Sequence, residues 1–371
     1  MRVLQFFKTS IPDTIGGVEQ VIHQIAKGSK KLGVETDVLS LTTDRSPRTI
    51  EIDGYLAHRV KLDLHVASTG FSVSAFSRFA QLAQKADVIH YHFPWPFMDL
   101  VHFVTRVKKP TLVTYHSDII RQNLLLKIYR PLMFKFLDNV DRIVATSPNY
   151  FSTSDVLIKY KHKVKVIPIG SDKTTYPQPS PDKLQYWRDK IGPKFFLFVG
   201  VLRYYKGLHI LIEAARGTDF PIAVVGAGPI EKDLKAKSGR LGLSNIYFLG
   251  HLPDEDKVAL LMLCHCVVFP SHLRSEAFGI ALLEGAMFGR PMISSEIGTG
   301  TTFVNIGGKT GLVVPPGDVG AFRQAMSYLW LNEKEASVMG QRAEHRYWDL
   351  FTGDRMVRAY VDLYRELKGD L

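Results

Sequence analysis

Two glutamates, Glu276 and Glu284, are separated by seven residues in the segment S-E-A-F-G-I-A-L-L-E. The first closes a polar loop after the apolar run Val267-Val268-Phe269-Pro270, and the second lies about a turn into a helix expected to begin near Ile280. That stretch of loop and helix spans roughly 12 Å at 1.5 Å per helical residue. The spacing therefore predicts two carboxylates at the ends of one elongated ligand, with reach from a hexose to a ribose across a diphosphate. Phe278, Gly279 and Ile280 fall between them, where the unpaired N–H groups of a helix N-terminus suit an anion or hydroxyls.

The countercharge for a diphosphate is found in G-V-L-R-Y-Y-K-G. Arg203 and Lys206 follow a strand ending at Gly200 and precede a helix, so two cations stand at the mouth of a sheet, placed to hold a diphosphate and stabilise it as it leaves. The alternative is two solvated surface cations. His116, in T-Y-H-S-D at the end of another strand, is either a partner for a sugar hydroxyl or carbonyl oxygen or a satisfied structural histidine. Gly16-Gly17, between the first strand and the first helix, is either a close backbone approach to phosphate or sugar or a plain tight turn.

Other segments carry weaker signals. H-Y-H-F-P-W-P-F, from His90 to Phe97, offers aromatic faces for stacking on sugars or a domain-edge cluster. V-V-G-A-G-P-I-E, from Val224 to Glu231, fails as a dinucleotide fingerprint because Glu231 occupies the third glycine position. It reads instead as a helix entry with Pro229 near the first helical position. Cys264 and Cys266 flank His265 but lack partner ligands, so buried thiols are expected. Asp254, Glu255 and Asp256 open a helix, where acids complement its dipole, and no D-x-D pair stands in a metal-nucleotide context. No essential metal and no cofactor are expected.

These residues need a scaffold. The 371 residues exceed the usual ceiling for a single core, and 46% apolar with 22% charged content suits a globular protein. Short β-rich runs at residues 3–7, 36–41, 88–91, 112–115, 143–145 and 164–167 alternate with helical patterns, predicting βαβ units on a parallel sheet with helices filling the gaps. A Pro, Ser and Thr-rich texture from Ile169 marks a linker. A second series follows at residues 195–200, 222–225, 246–249, 267–269, 291–294 and 312–314. The predicted division is residues 1–170, a linker at 171–193, a nucleotide-binding domain at 194–353 and a final helix from 354 that crosses back to the first domain. Ligands are expected at the carboxyl ends of the strands, in a cleft between two facing Rossmann-like domains.

The net charge of +11 implies an anionic partner. Nucleic acid is not favoured, because no helix-turn-helix, zinc-finger or RNP-type pattern appears. Arg121, Lys127, Arg130 and Lys135 interleave with Leu124, Leu125, Leu126, Met133, Phe134 and Phe136. This is either an interfacial basic stretch facing an anionic membrane surface or an ordinary helix with a solvated basic edge. No run of about 18 apolar residues appears, so the expected location is the cytoplasm, with the basic stretch suited to a peripheral approach to a membrane surface.

Taken together, the early Gly-Gly, T-x-H, R-x-x-K-G, E-x7-E and the terminal helix resemble the retaining glycosyltransferases of family 4, of GT-B fold. F-V-G-V-L-R-Y-Y-K-G-L-H-I-L and S-H-L-R-S-E-A-F-G-I are most similar to bacterial O-antigen mannosyltransferases and D-rhamnosyltransferases. The resemblance implies that Glu284 binds the nucleotide ribose and that Glu276 with Phe278, Gly279 and Ile280 contacts the donor sugar. Arg203 and Lys206, helped by Gly16 and Gly17, would neutralise the diphosphate, and His116 would sit near the reacting centre. Many members carry arginine where this chain has Val201, which leaves Arg203 to supply that charge from two residues later. The implied donor is GDP-mannose, with GDP-D-rhamnose or a UDP-sugar as alternatives, and the implied acceptor is a polyprenyl-diphosphate-linked oligosaccharide. A nucleotide-sugar epimerase, a phosphorylase and a non-catalytic sugar-binding module are the competing readings. Linkage, acceptor length, processivity and oligomeric state are not legible.

Overall fold

The computed structural model describes residues 1–44, 48–66, 69–119 and 123–370. The chain divides into two compact units, Met1–Ser171 together with Gly353–Leu371, and Asp172–Thr352.

The first unit carries strands β1 (Arg2–Phe6), β2 (Glu35–Thr42), β3 (Thr49–Ile52), β4 (Tyr55–Lys61), β5 (Leu64–Val66), β6 (Thr69–Phe71), β7 (Val88–Phe93), β8 (Thr111–Tyr115), β9 (Arg142–Ala145) and β10 (Val164–Val166). Eight of them form one sheet in the order β10-β9-β8-β7-β1-β2-β4-β3, parallel except for β3, while β5 and β6 pair separately. Strands β7 and β8 are buried along their whole length, as expected of a parallel sheet covered on both faces. The helix Gly17–Lys30 buries Val21, Ile22, Ile25 and Ala26, a stripe at helical spacing. The C-terminal helix Gly353–Lys368 returns to this unit. Its Tyr360 and Tyr364 hydroxyls meet Thr114 and His90 on the sheet, and Arg365 donates to the Leu32 carbonyl.

One gap expected to be helical holds β3 to β6 ahead of the helix Val73–Lys85. β3 and β4 are joined through Asp53 and Gly54, both at positive φ (45° and 90°). This is the Asp-Gly geometry of a two-residue hairpin turn, a signal present in the sequence. The expected linker also differs. Residues 181–191 form a helix, capped by Ser180 and opened by Pro181, whose buried Trp187 donates its indole N–H to Asp256 at 2.9 Å.

The second unit builds one parallel sheet from β11 (Phe196–Val199), β12 (Ile222–Val225), β13 (Ile246–Gly250), β14 (Cys266–Phe269), β15 (Met292–Ser295) and β16 (Gly311–Val314), in the order β13-β12-β11-β14-β15-β16. The chain runs outward from β11 to β13 and then restarts at β14 on the other side of β11. The β11/β14 boundary is therefore the topological switch point, where open α/β sheets bind ligands. In the first unit the same reversal falls between β1 and β7. Core side chains of the second unit include Phe196, Phe198, Leu211, Val268 and Ile293. Cys264 and Cys266 are free and buried, and burial pushes the Cys264 thiol up to about 12.

Packing accounts for the aromatic segment and for part of the basic one. Phe93, Trp95 and Phe97 are buried, and Trp95 lies 4.8 Å from the Phe6 ring and donates to the Gly70 carbonyl. The aromatic segment is thus core, because large rings gain most when removed from water. On the helix Asn123–Asn139, Met133, Phe136 and Leu137 are buried while Lys127, Arg130 and Lys135 are exposed. Of the apolar positions expected to meet a membrane, Met133 and Phe136 therefore face the protein's own interior and Leu126 and Phe134 are half-buried, while the exposed Lys127, Arg130 and Lys135 stand beside the exposed Ile128. Arg121 lies outside the described residues. Among the described residues no helix is long and apolar enough to cross a membrane.

Candidate functional site

In the second unit the loop leaving β11 is held on both sides. Gly200 and Leu202 donate to the Val225 and Ala227 carbonyls, each at 3.0 Å. Gly226, at φ 128°, makes this approach possible, since a Cβ there would stand 2.0 Å from the Gly200 carbonyl oxygen. The G-A-G motif is thus a packing device between neighbouring strand exits. The helix that follows is Glu231–Arg240 with Ile230 at its cap, so Pro229 precedes the cap and is not at the first helical position.

Beyond Leu202, a 3-10 turn over Tyr204–Lys206 leads to Gly207, at φ 73°, which caps the helix Leu208–Ala215. A Cβ on Gly207 would lie 2.0 Å from the Pro270 carbonyl oxygen at the exit of β14. The His272 amide, donating to the Tyr205 carbonyl at 3.1 Å, ties the same two loops. Both contacts span the switch point, and they bring the Lys206 ammonium against the Glu276 carboxylate. The side chains of this pair are only 13% and 10% exposed.

Burial by itself would lower the proton affinity of Lys206, but the Glu276 carboxylate outweighs that effect and the net shift is upward. Lys206 is therefore a fixed cation. It lies 4.9 Å from the centre of the Phe269 ring, and Glu276 also accepts the Gly279 amide at 3.0 Å. That amide, expected to be unpaired, orients Glu276. Phe278 is 3% exposed and packs edge-on to Phe351 at 6.2 Å, so its ring is core, whereas Ile280 begins the helix Ile280–Met287. Arg203 is exposed at the cap of the 3-10 turn, close enough for its charge to oppose that of Lys206.

Glu284 is 4% exposed on the same helix. Its Oε1 accepts from the Tyr176 hydroxyl at 3.1 Å and the Lys257 ammonium at 3.0 Å. Among the described residues no hydrogen bond reaches its Oε2. Lys257, like Lys206, is shifted upward by its carboxylate neighbours against the effect of burial. Sequence reasoning missed Tyr176 and Lys257. Lys257 pairs with Asp254 of its own helix opening at 3.1 Å, but its second partner, Glu284, lies on another helix, and Tyr176 sits in a Pro-rich stretch with no local pattern.

Three further residues belong to the first unit. Gly16 caps the helix Gly17–Lys30 with an extended backbone, and Glu19 in the first turn accepts from Thr9 and Thr14 at 2.7 and 3.0 Å. His116 follows β8, donates its amide to the Phe93 carbonyl and is 7% exposed. Its ring meets His92, which in turn meets Gln5. Burial brings the His116 imidazole down to about 3, so it is neutral at physiological pH.

Residues 15–174 match the sequence model described as Glycosyltransferase Family 4, and residues 184–346 match Glycosyl transferases group 1. A D-rhamnosyltransferase, WbpZ, of Pseudomonas aeruginosa is 61% identical over 352 residues, covering 95% of this chain and 92% of the relative. The O-antigen chain mannosyltransferase C of Escherichia coli is 48% identical over 370 residues, 99% of each chain. Among solved structures, sucrose-phosphate synthase from Thermosynechococcus elongatus superposes with a TM-score of 0.84 at 20% identity, over 100% of both chains. That likeness shows the two-domain GT-B architecture.

Proposed function

Because the chain belongs to the family 4 glycosyltransferases, we propose that it moves a hexose of mannose type from a GDP-sugar onto a polyprenyl-diphosphate-linked oligosaccharide in O-antigen synthesis. The observation that carries this reading is the buried Lys206–Glu276 pair at the β11/β14 switch point. It presents one fixed cation to a leaving diphosphate beside one carboxylate for sugar hydroxyls. Glu284, held through Oε1, offers its second oxygen to the ribose. Gly16 and Gly17, in the first unit, offer backbone N–H groups to a phosphate.

Transfer proceeds with retention in this reading. The leaving diphosphate helps accept the acceptor proton, and Lys206 with Arg203 stabilises the charge that develops. The cations make a metal unnecessary. The higher identity to the D-rhamnosyltransferase favours GDP-D-rhamnose over GDP-mannose; the two sugars differ only at C6.

The test is thermal-shift stabilisation by GDP, UDP, ADP and their sugar conjugates, with and without EDTA, because a ligand that binds only the folded state raises its apparent stability. Stabilisation by GDP and its mannose and D-rhamnose conjugates, unchanged by EDTA, is expected. A selective UDP response would replace the donor, loss of the response in EDTA would bring a metal into the site, and no nucleotide response would overturn the donor site itself.

The exposed Lys127, Arg130 and Lys135 suit a peripheral approach to an anionic leaflet, each contributing about 1 kcal/mol. Co-sedimentation with vesicles is expected to rise with anionic lipid and fall with salt, and binding independent of both would remove the membrane from the proposal.

A further inference from the structure

We infer that Gln5 and His92 are positioning residues that fix His116 as a hydrogen-bond acceptor, its Nδ1 lone pair presented to a substrate hydroxyl. The inference rests on the transferase reading above, and it follows from the direction of one hydrogen-bonded chain. The Gln5 amide nitrogen lies 3.2 Å from the Ile22 carbonyl. A carbonyl only accepts, so this end of Gln5 is its NH2 and the other is its Oε1. Gln5 Oε1 lies 2.9 Å from His92 Nε2. An amide oxygen only accepts, so His92 Nε2 carries the proton.

Burial, with His90 and His116 nearby, holds His92 well below the usual imidazole range and therefore neutral. A neutral ring with its proton on Nε2 has a bare Nδ1. That atom lies 3.0 Å from His116 Nε2, which must then donate. His116 is neutral as well, which leaves its own Nδ1 unprotonated. Among the described residues nothing hydrogen-bonds this atom.

His90 does not interrupt the chain. Its ring centre is 4.3 Å from that of His92, but its nitrogens are taken by Tyr364 and Thr114, each at 2.7 Å. The polarity thus starts at a main-chain carbonyl of the helix Gly17–Lys30 and ends at the carboxyl end of β8. It decides between the two roles open to His116. A bare nitrogen accepts from a hydroxyl; it cannot donate to a carbonyl oxygen, and it would repel a phosphate oxygen.

The test is a long-range proton–nitrogen correlation spectrum of the full chain labelled with 15N-histidine, the His116 signals being identified by their loss in His116→Gln. The expected result is His116 with its proton on Nε2 and an unprotonated Nδ1. A proton on Nδ1, or on both nitrogens at neutral pH, would overturn the inference. In His92→Leu, kcat/KM for the sugar nucleotide is expected to fall about tenfold, the effect of one lost hydrogen bond, while stabilisation by the nucleotide alone is unchanged. Wild-type kcat/KM in that variant would show that the chain positions nothing. Unchanged turnover in His116→Ala would instead fault the placement of His116 at the reacting centre and leave the tautomer result standing, so the two failures are distinguishable.

Discussion

Lys206→Ala is expected to lower turnover on the order of a hundredfold, the usual cost of removing one fixed donor to charge that develops in the transition state. Nucleotide affinity should fall much less, because the ribose contact proposed for Glu284 does not involve Lys206. The substitution also strands Glu276 as a buried carboxylate, and breaking a buried pair in this way costs about 3–5 kcal/mol, so lost activity and lost structure coincide. Lys206→Ala combined with Glu276→Gln, compared with Glu276→Gln alone, removes that ambiguity. The glutamine keeps an oxygen for the Gly279 amide and carries no charge that needs a partner. Steady-state kinetics alongside thermal denaturation decide the matter. The double variant should regain stability without regaining turnover, whereas turnover within about threefold of wild type in Lys206→Ala would withdraw Lys206 from the mechanism.

Gly207→Ala carries the second large effect, and it acts through backbone. Gly207 lies at φ 73°, and a Cβ there meets the Pro270 carbonyl oxygen at 2.0 Å. Gly217, at φ 77° in the same unit, has nothing within 4 Å of its notional Cβ. The left-handed conformation alone costs roughly 1–2 kcal/mol for an alanine, so Gly217→Ala measures that contribution in isolation. Gly207→Ala must also push the β11 and β14 exits apart, and overlap in packed structure typically adds about 1–3 kcal/mol. At about 2–4 °C per kcal/mol for a unit of this size, its Tm should fall by roughly twice as much as that of Gly217→Ala. Because the displaced loop carries Lys206, turnover should fall at temperatures where the variant is still folded. Equal Tm losses with normal turnover in both variants would mean that the close approach to Pro270 does not hold the site.

Much of the fold was legible because it rests on local patterns. The apolar runs that became β1, β7, β8 and β11 to β16 are short and bounded by turn residues, and the helix Gly17–Lys30 shows its buried stripe at helical spacing. The E-x7-E spacing placed Glu284 in the helix Ile280–Met287 for the same reason. The hairpin through Asp53 and Gly54 also rests on a local pair, which the expectation of helices in the gaps does not consider. In the aromatic segment and in the basic stretch, composition does not say which face is turned inward: Trp95 and Met133 are buried, whereas Lys127, Arg130 and Lys135 are exposed. Met133 and Trp95 would look the same in the sequence on a membrane face or in a core.

By itself, the sequence determined that two α/β units would form, that their strand exits would carry Lys206, Glu276, Glu284 and His116, and which family's motifs these are. Those features depend on residue type and near spacing, which the chain carries along its length. Only the tertiary structure decided which exits meet. Gly207 touches Pro270, Lys206 reaches Glu276, Tyr176 and Lys257 converge on Glu284, and Gln5 sets the proton on His92. These contacts join residues far apart in the chain, and their partners follow from the order of strands in each sheet. The charge of Lys206 and the neutrality of His116 belong to that second class, because burial and its competing neighbours exist only once the chain has folded.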